Sequence, residues 1–182
     1  MPRPSDTKQR IQEVARELFT QRGVQRTSLQ DIANQLNITK PALYYHFSSR
    51  EELVRSIVEP VMDEEEEFLQ GQEALDRVEP QVLLEGYFDF HYRHRTVMRL
   101  MLGELTTLAD LGLIDRALGW RARLVALLYG PDPTLAQATR AVIAFGGIQD
   151  CTIQFADVPQ DELRRAAVNG ACAALGIEPR ET

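Results

Sequence analysis

The chain has 182 residues, of which 44% are apolar and 26% charged, with a net charge of −7. No apolar run nears the ~20 residues that cross a bilayer, and the start does not read as a signal peptide, so a soluble, globular, cytoplasmic protein is expected. Its two cysteines, Cys151 and Cys172, are too few and too far apart for a zinc knuckle or a CxxC motif; they read as free buried thiols, with a disulfide across a dimer or a redox switch as the alternative.

In chain order, Ile11, Val14, Ala15, Leu18 and Phe19 recur at helical spacing and predict a first helix that ends at Gly23. Thr27 and Ser28 are suited to cap a second helix, with Asp31 three places after Ser28 as a loose variant of a capping box. Leu29, Ile32, Ala33 and Leu36 give that helix an apolar face, while Gln30, Asp31, Asn34 and Gln35 lie opposite. It should stop at Leu36 and Asn37, because Asn tolerates the left-handed backbone of a helix end. Thr39 can cap a third helix opened by Lys40 and Pro41, where proline is harmless in the first turn. Ala42, Leu43 and Phe47 are placed inward, leaving Lys40, Tyr44, Tyr45 and His46 outward. This is the layout of a helix-turn-helix, whose second helix enters the DNA major groove. Spacing alone leaves open an ordinary αα turn that binds nothing.

Ser49 with Glu52 reads as a capping box for a fourth helix, with Leu53, Val54, Ile57 and Val58 inward. Pro60 should kink or break that helix, since it removes a backbone hydrogen bond and crowds the carbonyl four residues back. The acidic run Asp63 to Glu67 reads as a solvated helix face, with metal binding as the alternative. Further helices are expected over 80–95, 97–107, 110–129, 133–155 and 159–175, separated by breaks at 76–80, 108–112, 130–133 and 157–159. No segment shows the alternation of a strand. Residues 1–58 hold nine Lys or Arg against six Asp or Glu, a balance of +3 that leaves −10 on the remainder. Cations gathered at one end suit DNA binding even in an acidic protein, because salt screens charge beyond about 8 to 10 Å.

Phe19 with Gly23, Thr27-Ser28, Ile32-Ala33, the run Thr39-Lys40-Pro41-Ala42-Leu43-Tyr44-Tyr45-His46-Phe47 and then Arg50-Glu51-Glu52-Leu53 resemble the N-terminal signature of the TetR family of transcriptional regulators, over about Lys8 to Ile57. Asn37 stands where that family most often has Gly, and Arg50 where it most often has Lys; both keep the physics the position needs. The resemblance implies an all-α protein of about nine helices. A helix-turn-helix DNA-binding domain would occupy residues 1–50, and a helical effector-binding and dimerisation domain residues 51–182. On that reading Thr27, Thr39, Tyr45 and Arg50 anchor phosphates and His46 can donate to one. Lys40 and Tyr44 reach base edges, and Ser28, Pro41 and Ala42 lie near thymine methyls or backbone.

In the body, Tyr87, Phe88, Phe90, His91, Tyr92 and His94 crowd one segment, followed by Met98, Met101, Leu102 and Leu105 and then Leu113, Trp120 and Leu124. A packed core explains most of these residues. Polar-tipped rings and adaptable Met side chains are also what a small-molecule pocket needs. An apolar or aromatic effector is therefore expected against Tyr87, Phe88, His91, Met98, Met101, Leu102, Leu105, Trp120 and Leu124. His91 and His94 lack a third metal ligand, and no metal or cofactor is expected. Leu135, Ala138, Val142 and Phe145 form one late stripe. Leu163, Ala166, Ala167, Gly170, Ala171 and Ala174 form another, rich in small residues that let helices approach closely. Self-association is their outlet, with packing inside one chain as the alternative, and the resemblance favours a homodimer. The whole reads as a ligand-responsive repressor on a palindromic operator. A DNA-binding activator, a ligand-independent regulator and, last, an all-α enzyme stay open; no nucleophile-base pair or glycine-rich phosphate loop supports the enzyme.

Overall fold

In the computed structural model, which describes residues 4–179, the described chain is helix and turn without strand. It forms nine helices: α1 Pro4–Arg22, α2 Leu29–Gln35, α3 Lys40–His46, α4 Arg50–Glu73, α5 Pro80–Gly103, α6 Leu105–Asp110, α7 Ile114–Tyr129, α8 Leu135–Gln154 and α9 Gln160–Leu175. The all-α expectation holds. Arg3, one of the nine head cations, lies outside the described residues.

The first helices start and stop where their local chemistry says. Gly23 ends α1 at φ +83, a left-handed conformation that only glycine adopts freely. The Ser28 hydroxyl accepts the Asp31 amide at 3.1 Å while the Asp31 carboxylate accepts the Ser28 amide at 2.9 Å, a complete capping box for α2. Asn37 turns the chain at φ 53, the one non-glycine with positive φ among the described residues. Thr39 then accepts the Ala42 amide at 3.3 Å and starts α3. Ile11, Phe19, Ile32, Leu43, Phe47 and Leu53 are all buried to 2% exposure or less, so the inward faces of α1 to α4 form one core. Full burial of each stabilises by roughly 1.5 to 3 kcal/mol.

Four boundary expectations change. Ser49 accepts the Glu52 amide at 3.0 Å as expected, but the Glu52 carboxylate reaches Ser48 instead, accepting its amide at 2.7 Å and its hydroxyl at 2.6 Å. Pro60 does not break α4, which is helical from Arg50 to Glu73. The carbonyl that Pro60 leaves unserved belongs to Ser56, and it accepts the Gln12 side-chain amide instead; Val58, Val61 and Met62 on either side are buried. The expected helices 80–95 and 97–107 run together: α5 continues to Gly103, because nothing around Thr96 removes a backbone donor or favours a turn. The chain breaks at Glu104, and a short α6 precedes the Gly112 turn at φ +71.

The chain packs as two compact units. One comprises the chain up to Met62 together with Thr96–Ile114, and the other comprises Asp63–Arg95 with the chain from Asp115 onward. In the first, α1 packs on α2 and α2 on α3. In the second, α8 and α9 pack along each other, with Phe145, Ile148, Leu163, Val168 and Cys172 buried. Thr134 and Gln137 form the α8 capping box, and Gly176 closes α9 at φ +75. Among the described residues no helix is long and apolar enough to cross a membrane.

Candidate nucleic-acid interface

Seven residues make α3, and its two faces differ sharply. Leu43 and Phe47 are buried at 0% and 1% exposure, which fixes the helix rotationally on the core. Lys40, Pro41, Ala42, Tyr44 and Tyr45 are exposed, Tyr45 at 82%. Ala42 thus faces outward rather than inward: it sits one place before Leu43 on a helix too short to bury both. The Lys40 ammonium lies 5.5 Å from the Tyr44 ring centroid, a cation–π contact that holds both over one surface. Tyr45 and His46 meet edge to face at 5.2 Å, with His46 half-buried.

A surface hollow of about 250 Å³ is lined by Ser28, Leu29, Gln30, Lys40, Tyr44, Arg50 and Glu51. It gathers the start of α2, the outward side of α3 and the start of α4. Four of the sequence-derived residues, Ser28, Lys40, Tyr44 and Arg50, meet there. Gln30 and Glu51 join them; the sequence marked Gln30 only as part of a polar face. Ser28 also donates its hydroxyl to Asp31 at 2.6 Å, and these hydrogen bonds from Ser28 hold the Asp31 carboxyl below its usual range. Thr39 serves as the α3 cap.

Two expected phosphate contacts have work inside the head. Thr27 is 1% exposed and donates its hydroxyl to the Gly23 carbonyl at 2.9 Å. It sits under the α1–α2 turn, because the residue before a cap is drawn into the core that the cap's helix covers. Arg50 donates to the carbonyls of Val24 and Gln25 at 3.3 Å and to the Gln25 side chain at 3.1 Å, tying the same turn to α4. Its Nε has no partner. The same turn is held again by Glu104, which accepts the Val24 amide at 2.6 Å and the Thr107 hydroxyl at 3.0 Å.

The residues expected at an effector are divided. Tyr87, Phe88, His91, Trp120 and Leu124 are buried in the second unit, and Met98 is buried in the first. Met101 is half-buried, and Leu102 and Leu105 are exposed on the first unit at 48% and 56%. The ring of Tyr87 lies 4.1 Å from that of His91 and 5.0 Å from that of Phe145. Trp120 donates to Glu66 at 2.9 Å, and Arg123 and Trp120 together pull the Glu66 carboxyl down to about 2. Of the expected dimer stripe, Leu135 and Val142 are exposed, with Gly170, while Ala138 and Ala174 are half-buried. Phe145, Leu163, Ala167 and Ala171 are buried within one protomer. Apolar residues surround α8, so the pattern alone could not fix which stripe faces outward; Ile143, at 63% exposure, belongs to the open side. Cys151 and Cys172 are free, and burial raises both thiols. No group of three metal-ligating side chains exists among the described residues.

Residues 11–57 match the family model described as bacterial regulatory proteins, tetR family. Over 75 residues the chain is 35% identical to the HTH-type transcriptional regulator TtgR of Pseudomonas putida, covering 41% of this chain and 36% of TtgR. Over 52 residues it is 42% identical to the biofilm operon icaADBC HTH-type negative transcriptional regulator IcaR of Staphylococcus epidermidis, covering 29% of this chain and 28% of IcaR. The chain thus spans about a third of the length of the curated relatives it matches. Among solved structures, AmtR of Mycobacterium smegmatis superposes with a TM-score of 0.76 at 21% identity, over 93% of this chain and 86% of that one. A TetR-family transcriptional regulator from Bordetella parapertussis gives 0.74 at 22% identity, over 91% and 93%. Likeness at that identity shows a shared fold.

Proposed function

With a head that belongs to the tetR family of bacterial regulatory proteins, we propose that this chain is a sequence-specific DNA-binding transcriptional regulator, and specifically a ligand-responsive repressor. Residues 1–50 serve as the DNA-binding part and residues 51–182 as the effector and dimer part. The observation that carries the reading is the outward face of α3: Lys40 and Tyr44 in cation–π contact beside an exposed Tyr45, on a helix locked from behind by Leu43 and Phe47.

Lys40 and Tyr44 read base edges in the major groove, and Pro41 and Ala42 lie against thymine methyls or backbone. Tyr45, Thr39, Ser28 and His46 hold phosphates. Arg50 and Thr27 act behind them by fixing the turn that sets α2, and Arg50 adds positive charge beside the hollow. A second copy joined through the open side of α8 and α9, with Leu135, Val142 and Ile143 at its centre, doubles the head. A two-fold pair of α3 helices calls for a palindromic site. An effector that fits best to a body holding the heads at the wrong spacing lowers DNA affinity by its own differential, about 5 to 150-fold for 1 to 3 kcal/mol. Repression is favoured over activation by IcaR, whose name calls it a negative regulator.

The test is retention of a pool of random duplex DNA by the full chain and by Lys40→Ala and Tyr44→Ala variants. Retention is expected to fall at least tenfold in each variant with the helical circular-dichroism spectrum unchanged. Equal retention by all three proteins contradicts the assignment of α3.

A further inference from the structure

The acidic run on α4 has four members with ordinary surroundings. Asp63 pairs with Arg116 at 2.7 Å, Glu64 with His94 at 2.9 Å and also with Arg93, and Glu66 with Arg123 at 2.7 Å. Glu67 is exposed. Glu65 differs from all of them. Its side chain is 9% exposed, and among the described residues no Lys or Arg makes an ion pair with it. His91 Nε2 stands 3.9 Å from its Oε1, beyond hydrogen-bond length.

His91 is buried more deeply than Glu65. It is 2% exposed, and neither ring nitrogen has a partner. Burial, with Arg121 and His94 adding to it, lowers His91 to about 3 and keeps the ring neutral. Burial likewise pushes Glu65 up to about 7, opposed by Arg121 and Arg116 and reinforced by Glu66. Arg121 donates to Gln149 at 3.2 Å and Arg116 to Asp63 at 2.7 Å. Aromatic rings wall the pair. Tyr87 lies 4.1 Å and Phe90 5.3 Å from the His91 ring, and Phe145 backs Tyr87 at 5.0 Å.

A carboxyl oxygen and an imidazole nitrogen therefore stand 3.9 Å apart, too far to hydrogen-bond each other. Leaving the His91 nitrogens unpaired in a low-dielectric interior is costly, and a guest that hydrogen-bonds them removes that cost. One nitrogen carrying two N–H bonds serves both acceptors, when the His91 proton sits on Nδ1. If that nitrogen is positively charged it also neutralises Glu65 and is held by the faces of the surrounding rings. A carboxylate guest would meet Glu65 as a like charge, and an alcohol brings one donor for two acceptors.

We propose that Glu65 and His91 anchor an organic cation, a primary or secondary ammonium or an amidinium on an apolar or aromatic body, as the effector. This rests on the ligand-responsive reading above.

The test uses the full-length protein without DNA, so that failure of the DNA-binding assignment does not touch it. Phenylbutylamine, phenylbutanol and phenylbutyrate, which share one body, are titrated by calorimetry into wild type and Glu65→Gln. The amine is expected to bind wild type at least tenfold more tightly than the alcohol, and phenylbutyrate most weakly. Glu65→Gln should bring the amine-to-alcohol ratio near one while still binding the alcohol. In wild type the amine affinity should also rise about tenfold between pH 6 and pH 8, as Glu65 ionises, with protons released on binding; this second measurement decides the matter even if the variant does not fold. Equal binding of amine and alcohol, or an amine preference that survives Glu65→Gln, overturns the cation assignment and leaves a ligand-responsive regulator standing. Absence of saturable binding by all three compounds overturns the site.

Discussion

Gln12 on α1 donates its side-chain amide to the Ser56 carbonyl on α4 at 3.1 Å and to the Ser56 hydroxyl at 3.0 Å. Ser56 stands four residues before Pro60, so its carbonyl is the one that a proline in the helix leaves without an N–H. A side chain from the first helix thus completes the fourth where its own sequence interrupts it, and the joint ties α1 to α4.

That joint gives a double-mutant prediction. Gln12→Ala should cost about 1 kcal/mol, as expected for a half-buried carbonyl that loses its donor. In a Pro60→Ala background, where residue 60 donates to Ser56 itself, the same change should cost much less. Thermal melts of the four proteins check this. Equal costs in both backgrounds contradict the role given to Gln12.

Gly23 is required twice over. It holds φ +83, and a Cβ there would lie 3.1 Å from Glu104 Oε1, the atom that accepts the Val24 amide. Gly23→Ala should destabilise by roughly 1 to 2 kcal/mol from backbone strain alone. Its urea midpoint should fall, and DNA retention measured well below that midpoint should fall with it, because the turn sets α2.

The buried Glu65 makes stability depend on pH in a definite direction. Its folded value of about 7 lies above the ordinary 4.5, so between those values the folded state binds more protons than the unfolded state. Stability contributed by this group is therefore full below about pH 4.5, declines as pH rises and levels off above about pH 7. Glu65→Gln should be more stable than wild type at pH 8 by roughly 1 to 3 kcal/mol, with the gap closing toward pH 4.5. Urea denaturation of both proteins across that range measures it; a constant gap contradicts the burial of an ionisable carboxyl.

The open side of α8 and the closed side make contrasting predictions. Val142 and Ile143 are 42% and 63% exposed, so Val142→Glu with Ile143→Glu should convert the proposed dimer to a monomer in sedimentation without lowering helicity. Phe145 is fully buried against Tyr87, and Phe145→Ala should cost about 3 to 5 kcal/mol of stability.

The head was legible because each of its boundaries is written in local chemistry: Gly23, Ser28 with Asp31, Asn37 and Thr39 all act within four residues of themselves. Leu43 and Phe47 were legible as inward for the same reason. Thr27 and Arg50 were harder to place, since a hydroxyl and a guanidinium suit a phosphate as well as a backbone carbonyl, and only the folded turn shows which is nearer. The persistence of α4 through Pro60 depended on Gln12, more than forty residues away. Phe145 illustrates the general difficulty in the body: on a helix with apolar residues all round, periodicity marks burial without saying whether the cover is the same chain or another. The isolation of Glu65 inside an acidic run was invisible to composition, because its neighbours' cations come from α5 and α7.

In the proposed function, two copies of α3 read one symmetric DNA site. Sequencing the DNA that the full-length protein retains from a random duplex pool at moderate salt tests it most directly. One palindromic motif is expected, with half-sites a helical turn or a multiple apart, whose binding weakens steeply as salt rises. Retention without a shared motif, or a motif lacking two-fold symmetry, contradicts it.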